Sequence, residues 1–356
     1  APAFFQSKAC PWRRYSTTSS RSREVSESCS GRVWLALGVC PDVFICIHIK
    51  EDAYQMISFE AAKHKSAKIW QRLTGYVFLL PSAIVLATFV FIPMAYALVV
   101  SFTDWDLMSP RKFFVGFSNY AELLTSEEFW LVARNTLVFT VTTVPISTAI
   151  GLVLALALNR NMRLRTFYRA AYFLPVVTST VAVSIVWMWI YHPNYGLMNQ
   201  LLGLFGIPPQ RWLSHPNQAL PAIIIVSIWK RMGYDMVIYL AGLQGIPVEL
   251  YEAAKLDGAN KWQLFKNITW PLLTPTTFFL ITTSLISSVQ VFSIVHTMTS
   301  GGPANRTNVV VYYLYQQAFN SFRMGYAFSI AYVLFVLIFI VTIIQMRFSE
   351  SRVHYQ

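Results

Sequence analysis

The sequence predicts an all-α membrane protein with six transmembrane helices, and three observations carry that prediction. The 356-residue chain is 55% hydrophobic and only 12% charged, with a mean hydropathy of +0.46, whereas a soluble domain carries about 25% charged residues. Six separate apolar stretches are each long enough for a hydrocarbon core of about 30 Å. The basic residues of the loops between them fall on alternate sides, as orientation determinants do.

Residues 1–55 do not resemble the rest. They are rich in Ser, Arg and Cys, and their one apolar patch, Val33–Ile49, is interrupted by Pro41-Asp42. A span needs about twenty apolar residues, so this stretch is expected to be an extension outside the fold, upstream of a natural start at Met56. Residues 56–75 form a basic segment before the first span. The expected spans are Tyr76–Val100, Leu131–Leu158, Tyr168–Tyr191, Ala219–Gly242, Leu272–His296 and Tyr326–Met346, making a six-span domain over 76–348 with a short tail over 349–356. Pro81 and Pro93 in the first are tolerated in membrane helices.

One side of the membrane receives thirteen basic residues: Lys63, Lys65, Lys68, Arg72, Arg160, Arg163, Arg165, Arg169, Lys255, Lys261, Lys266, Arg347 and Arg352. The other receives five: Arg111, Lys112, Arg211, Arg306 and Arg323. The richer side is expected to be cytoplasmic, with both termini on it. The net charge of +12 is therefore read as topology and contact with anionic lipid head groups, not as a nucleic-acid surface.

The polar island between the fourth and fifth spans reads as two short helices joined by a glycine turn. Pro247 suits the start of a helix, where its missing N–H is no loss. Leu250, Ala253, Ala254 and Asp257 then share one face, Gly258 suits a left-handed C-cap, and Asn260 can cap a second piece in which Trp262 and Phe265 stack. Pro271 closes the island.

Within it, Glu252-Ala253-Ala254, Gly258 four residues later, then Ile268 and Pro271 resemble the EAA signature of bacterial ABC importer permeases. The run EAAKLDGANKWQLFKNITWPLLTP is similar to the carbohydrate-uptake branch, with maltose, lactose and glycerol-phosphate permeases. Trp270 departs from the leucine usual there. Glu60-Ala61-Ala62 is also EAA but lacks the glycine and the Ile-x-x-Pro that should follow. The resemblance begins near Trp70. It implies the type I ABC importer permease fold with a cytoplasmic coupling-helix loop over 247–271. It also implies docking of Glu252, Ala253, Ala254, Asp257, Gly258, Ile268 and Pro271 on an ATPase. The partners implied are a second homologous permease, two ATPase subunits carrying ATP and Mg, and an extracytoplasmic solute-binding protein. The location implied is the bacterial inner membrane.

Outer-loop runs Phe114–Tyr120, Arg134-Asn135-Thr136 and Ser300-Gly301-Gly302-Pro303 also resemble the sugar branch. Two readings stay open for them: contact with a binding protein, or interfacial aromatics and turns.

No phosphate loop of the form GxxxxGKS/T and no HExxH occurs, and the six histidines are scattered. No cofactor and no metal are expected on this chain, and any ATP hydrolysis falls to partners. All four cysteines (Cys10, Cys29, Cys40, Cys46) precede residue 50, which leaves no disulfide framework in the body.

The fourth span carries Lys230, Arg231 and Asp235 near its middle. A charge at the bilayer centre costs about 2.5–3.5 kcal/mol on insertion scales. These groups should therefore face a water-filled path, or pair locally as Arg231 and Asp235 can at i, i+4. In the sugar importers, Lys230, Arg231 and Tyr234 match substrate-contacting positions, as do Ser284, Ser287, Ser288 and Val291. The last four share one helix face at i, i+3, i+4, i+7. Two cations in place of a neutral-sugar site point to an anionic carbohydrate, such as a uronate oligosaccharide or a sugar phosphate. The alternative class, an ion-coupled secondary transporter, needs coupling carboxylates and usually paired repeats. Asp235 is the only acid well inside a span, and no clear repeat is visible.

Overall fold

A computed structural model of the protein describes residues 33–40 and 43–49, Thr74, and residues 76–106, 108, 111–160 and 162–350, with backbone alone for 33–49 and 348–350. The expected extension over 1–55 lies outside the described residues except for an antiparallel pair, β1 (Val33–Cys40) and β2 (Val43–Ile49). The expected segment 56–75, with Glu60-Ala61-Ala62, falls outside them apart from Thr74. So does the expected tail over 349–356 beyond Glu350. The chain divides into two compact units, residues 1–90 and 91–356.

The body is helical. Helix α1 (Tyr76–Ser101) contains one π turn at Ala87–Phe91. A two-stranded pair, β3 (Thr103–Asp104) with β4 (Phe113–Phe114), follows. Next come α2 (Ser118–Thr125), the 32-residue α3 (Glu127–Leu158), α4 (Arg165–Val177) and α5 (Thr180–Ile190). After α6 (Leu197–Leu204) runs α7 (Ala219–Gln244). Then follow α8 (Val248–Leu256), α9 (Lys261–Leu272), α10 (Thr274–Val289), α11 (Ser293–Met298), α12 (Val310–Tyr315) and α13 (Met324–Glu350).

Helices α1, α3 and α13 are each long and apolar enough to cross a membrane, and two bent pairs add up to two more crossings. The expected fourth span is α7, one unbroken 26-residue helix of about 39 Å at 1.5 Å per residue, though three charges lower its hydropathy.

Two expected spans differ from straight helices. The third is α4 and α5, bent by 100°. Pro175 removes an N–H from the α4 ladder, and Thr178 and Ser179 are extended. The fifth, expected over Leu272–His296, begins at a 60° bend between α9 and α10 and stops at Gln290–Phe292 before α11. There the hydroxyls of Thr282, Thr283, Ser287 and Ser288 donate back to carbonyls three or four residues earlier, a pattern that weakens and bends helices.

Helix α7 is the central element. On α3, Ser147, Gly151 and Ala155 recur every four residues and are buried or nearly so. Such a small-residue stripe lets two backbones close up, and a Cβ on Gly151 would lie 2.6 Å from Asp235 Cβ. Toward α4, Gly233 performs the same service: a Cβ there would lie 2.0 Å from the Tyr172 carbonyl oxygen. Two apolar clusters follow the two halves of α7, one around Ile223, Val226 and Val295, the other around Met236, Tyr239 and Leu273. A third, around Leu123, Val132 and Ile330, joins α2, α3 and α13.

Candidate functional site: a cavity beside the central helix

The seven residues expected on a substrate path line one cavity of about 460 Å³: Lys230, Arg231 and Tyr234 from α7, Ser284, Ser287 and Ser288 from α10, and Val291 just past its end. The break at Gln290 therefore corrects the expected helical face of Ser284, Ser287, Ser288 and Val291: Val291 reaches the cavity from outside the helix. Thr143 and Val144 of α3, Val176 of α4 and Thr180 of α5 complete opposite walls.

Sequence reasoning missed several hydroxyls that the structure adds, among them Ser227, Thr283, Thr143 and Thr180. One was within reach. Ser227, Lys230, Arg231 and Tyr234 are spaced i, i+3, i+4, i+7, the same face pattern as 284, 287, 288 and 291.

The cations differ in their partners. Arg231 Nε donates to Ser284 Oγ at 2.8 Å and lies 3.5 Å from Asp235 Oδ1. Its guanidinium stands 5.6 Å from the centroid of the Tyr234 ring. Asp235 is fully buried against α3, so the expected i, i+4 pair forms. The pair is held by charge and not by a hydrogen bond: Arg231 Nη2 and both Asp235 carboxylate oxygens are buried with no hydrogen-bond partner among the described residues. Lys230 Nζ instead donates to the carbonyls of Pro175 and Thr178, both at 2.8 Å. Among the described residues Lys230 has no acidic partner, but two of its three donors are used.

The expected coupling-loop residues form a second group, separate from the cavity. Glu252, Ala253 and Ala254 lie on α8, none of them buried. The helix ends with Asp257 at its C-cap and Gly258 at φ +82°. The Ala259 N–H donates to the Ala254 carbonyl and the Gly258 N–H to the Lys255 carbonyl, a Schellman stop. Asn260 and Gln263 make a reciprocal capping box at the start of α9. Trp262 and Phe265 stack at 5.7 Å, and Trp270 lies 6.3 Å from Phe265. Ile268 sits in a π turn and Pro271 in the last turn of α9. Tyr251 and Thr269 hydroxyls bond at 3.0 Å and tie α8 to α9. Leu256 and Trp262 are 89% and 67% exposed, an apolar surface that the described residues leave largely uncovered.

The Arg134–Thr136 run meets the segment that follows Ser300–Pro303. Asn135 donates to the carbonyls of Asn305 and Asn308, and the Thr136 hydroxyl accepts from the Val310 N–H. Asn119 likewise holds the carbonyls of Ser101 and Thr103. These motif residues fasten the loops to the helices. Among the described residues, no three His, Cys, Asp or Glu side chains gather as a metal-binding group.

The model of the family described as the binding-protein-dependent transport system inner membrane component matches residues 147–355. The chain belongs to this family. It is thus a transport subunit, an ABC transporter permease with the type I importer fold. The trehalose/maltose transport system permease of Thermococcus litoralis is 33% identical over 82% of this permease and 96% of that relative. The sn-glycerol-3-phosphate transport system permease of Agrobacterium fabrum is 33% identical over 80% and 97%. Among solved structures, a bacterial ABC transporter involved in the import of the acidic polysaccharide alginate has a chain 25% identical to this permease. That match has a TM-score of 0.71 and covers 81% of this chain and 99% of the other.

Proposed function

We propose that this permease forms, with a second permease chain, the translocation path of an ATP-driven carbohydrate importer, and that its substrate is anionic. The observation that carries the reading is the cavity itself, lined by hydroxyls of α7 and α10 together with the Arg231 guanidinium, which bonds Ser284 and is charge-paired with the buried Asp235. Hydroxyls suit the polar edge of a sugar, Tyr234 offers a ring face, and an oriented guanidinium suits a carboxylate or phosphate. The relatives include carriers named for a neutral disaccharide and for a sugar-alcohol phosphate, and the alginate transporter handles an acidic polysaccharide.

The rest of the machine follows from the exposed loop and the missing ATPase motif. Two ATPase subunits, holding ATP and Mg, receive the coupling loop over 247–271 on the cytoplasmic side of a bacterial inner membrane. A solute-binding protein delivers substrate from the other side. Asp235 does not serve as an ion-coupling carboxylate, since it is buried and held by Arg231.

The test is uptake in reconstituted importer with Arg231→Gln. Charge-assisted hydrogen bonds are worth roughly 1.5–3 kcal/mol, so uptake of a uronate oligosaccharide should fall about tenfold or more relative to a neutral oligosaccharide. Equal effects on both substrates would remove the anionic reading.

A further inference from the structure

Lys230 sits on the cavity wall, and its two hydrogen bonds go to backbone carbonyls of the elbow between α4 and α5. The Pro175 carbonyl lies in the last turn of α4 and that of Thr178 just beyond it. Helix ends leave their final carbonyls without intrahelical donors, and in an apolar surrounding they must find others. Thr178 Oγ1 supplies one bond to the Pro175 carbonyl at 2.8 Å. Lys230 Nζ supplies a second, and supplies the Thr178 carbonyl as well. A cation at the C-terminal end of α4 also complements the helix dipole.

One turn further along α7, Gly233 lets the Tyr172 carbonyl approach. Helix α7 thus grips α4 at two successive points, once by close packing and once by an ammonium. Val176 and Thr180, on the two arms of the elbow, both line the cavity. The angle of the elbow therefore fixes where that wall stands.

We infer that Lys230 is a positioning residue: it clamps the 100° elbow and so sets the shape of the cavity, while Arg231 is the cation offered to the substrate. This rests on the reading of the cavity as the substrate path. It divides two neighbouring cations into different roles and makes opposite predictions for them. Loss of Arg231 changes the preference between anionic and neutral cargo. Loss of Lys230 changes the wall for every cargo.

The experiment uses the assembled importer in nanodiscs, with its ATPases and binding protein. The four native cysteines, all before residue 50, are replaced by serine. Spin labels go on Phe167→Cys in α4 and Trp189→Cys in α5, positions 65% and 51% exposed in this chain. With Lys230→Gln, the distance between labels should shift or broaden. Uptake of uronate and neutral oligosaccharides should fall by the same factor, about tenfold, leaving their ratio unchanged. Lys230→Arg keeps a donor fork within reach of both carbonyls. It should restore a narrow distance and most of the uptake, and it keeps the test open if the Gln variant does not assemble. An unchanged distance in Lys230→Gln, or a selective loss of anionic uptake in either variant, would overturn the clamp. The reading of the cavity as the path is checked separately. If Ser287→Trp, which fills the cavity, leaves uptake untouched while Lys230→Gln still opens the elbow, the path reading fails and the clamp stands.

Discussion

Gly151 has no room for one more carbon. A Cβ there would meet Asp235 Cβ at 2.6 Å and the Met236 backbone nitrogen at 3.0 Å, and neither atom is the end of a flexible side chain. The glycine therefore places the buried carboxylate, and through it the Arg231 guanidinium. Gly151→Val should push α3 from α7, lower the thermal midpoint of the purified importer by several degrees and abolish uptake. Overpacking costs typically 1–3 kcal/mol. Size-exclusion profiles after a heating series measure the loss. Gly203→Ala is the control, since a Cβ there meets nothing within 4 Å and alanine suits a helix better than glycine. Equal midpoints for the two variants would count against close approach as the reason for Gly151.

At the scale of the element, what was readable was what is local. Pro247, Gly258 and Asn260 announce the two-helix loop over 247–271 because caps are made within a few residues, and the Schellman stop and capping box stand where those residues do. The elbow at Thr178 was not readable. Pro175 weakens the helix there, but the donor that stabilises the bend comes from Lys230, 52 residues further on. The break at Gln290 was hidden for a related reason: serines on one face read as recognition, while their hydroxyls also compete for the helix's own carbonyls. Because Gly258 has φ +82° and open space around it, Gly258→Val should strain the backbone without a clash. The cost is about 1–2 kcal/mol. The protein should assemble at normal levels but turn α9 relative to α8. On the proposed docking of this loop, binding-protein-stimulated ATP hydrolysis should drop several-fold with basal hydrolysis intact. Unchanged stimulation would mean that the angle between the two helices carries no coupling.

For the whole molecule, hydropathy told where the chain is apolar, and charge told which loops share a side. Neither told which apolar faces meet. The 100° elbow, the glycine contacts on α7 and the joining of Asn135 to Asn305 and Asn308 are tertiary choices, made between segments far apart in sequence. Orientation is the property that the loops themselves predict. Lys261 lies at the start of α9 in the basic loop, and Lys112 lies beyond α1 on the poorer side. Thirteen basic residues against five is an asymmetry that places the former loop in the cytoplasm. In a background with Cys10, Cys29, Cys40 and Cys46 replaced by serine, Lys261→Cys should react with an impermeant maleimide only in inside-out vesicles. Lys112→Cys should react only in intact spheroplasts. Both are exposed positions. The reverse pattern would invert the molecule and take the exposed Leu256 and Trp262 away from any cytoplasmic ATPase. Labelling of both from one side would remove a crossing between them, and α7, with its three charges, would be the helix to doubt first.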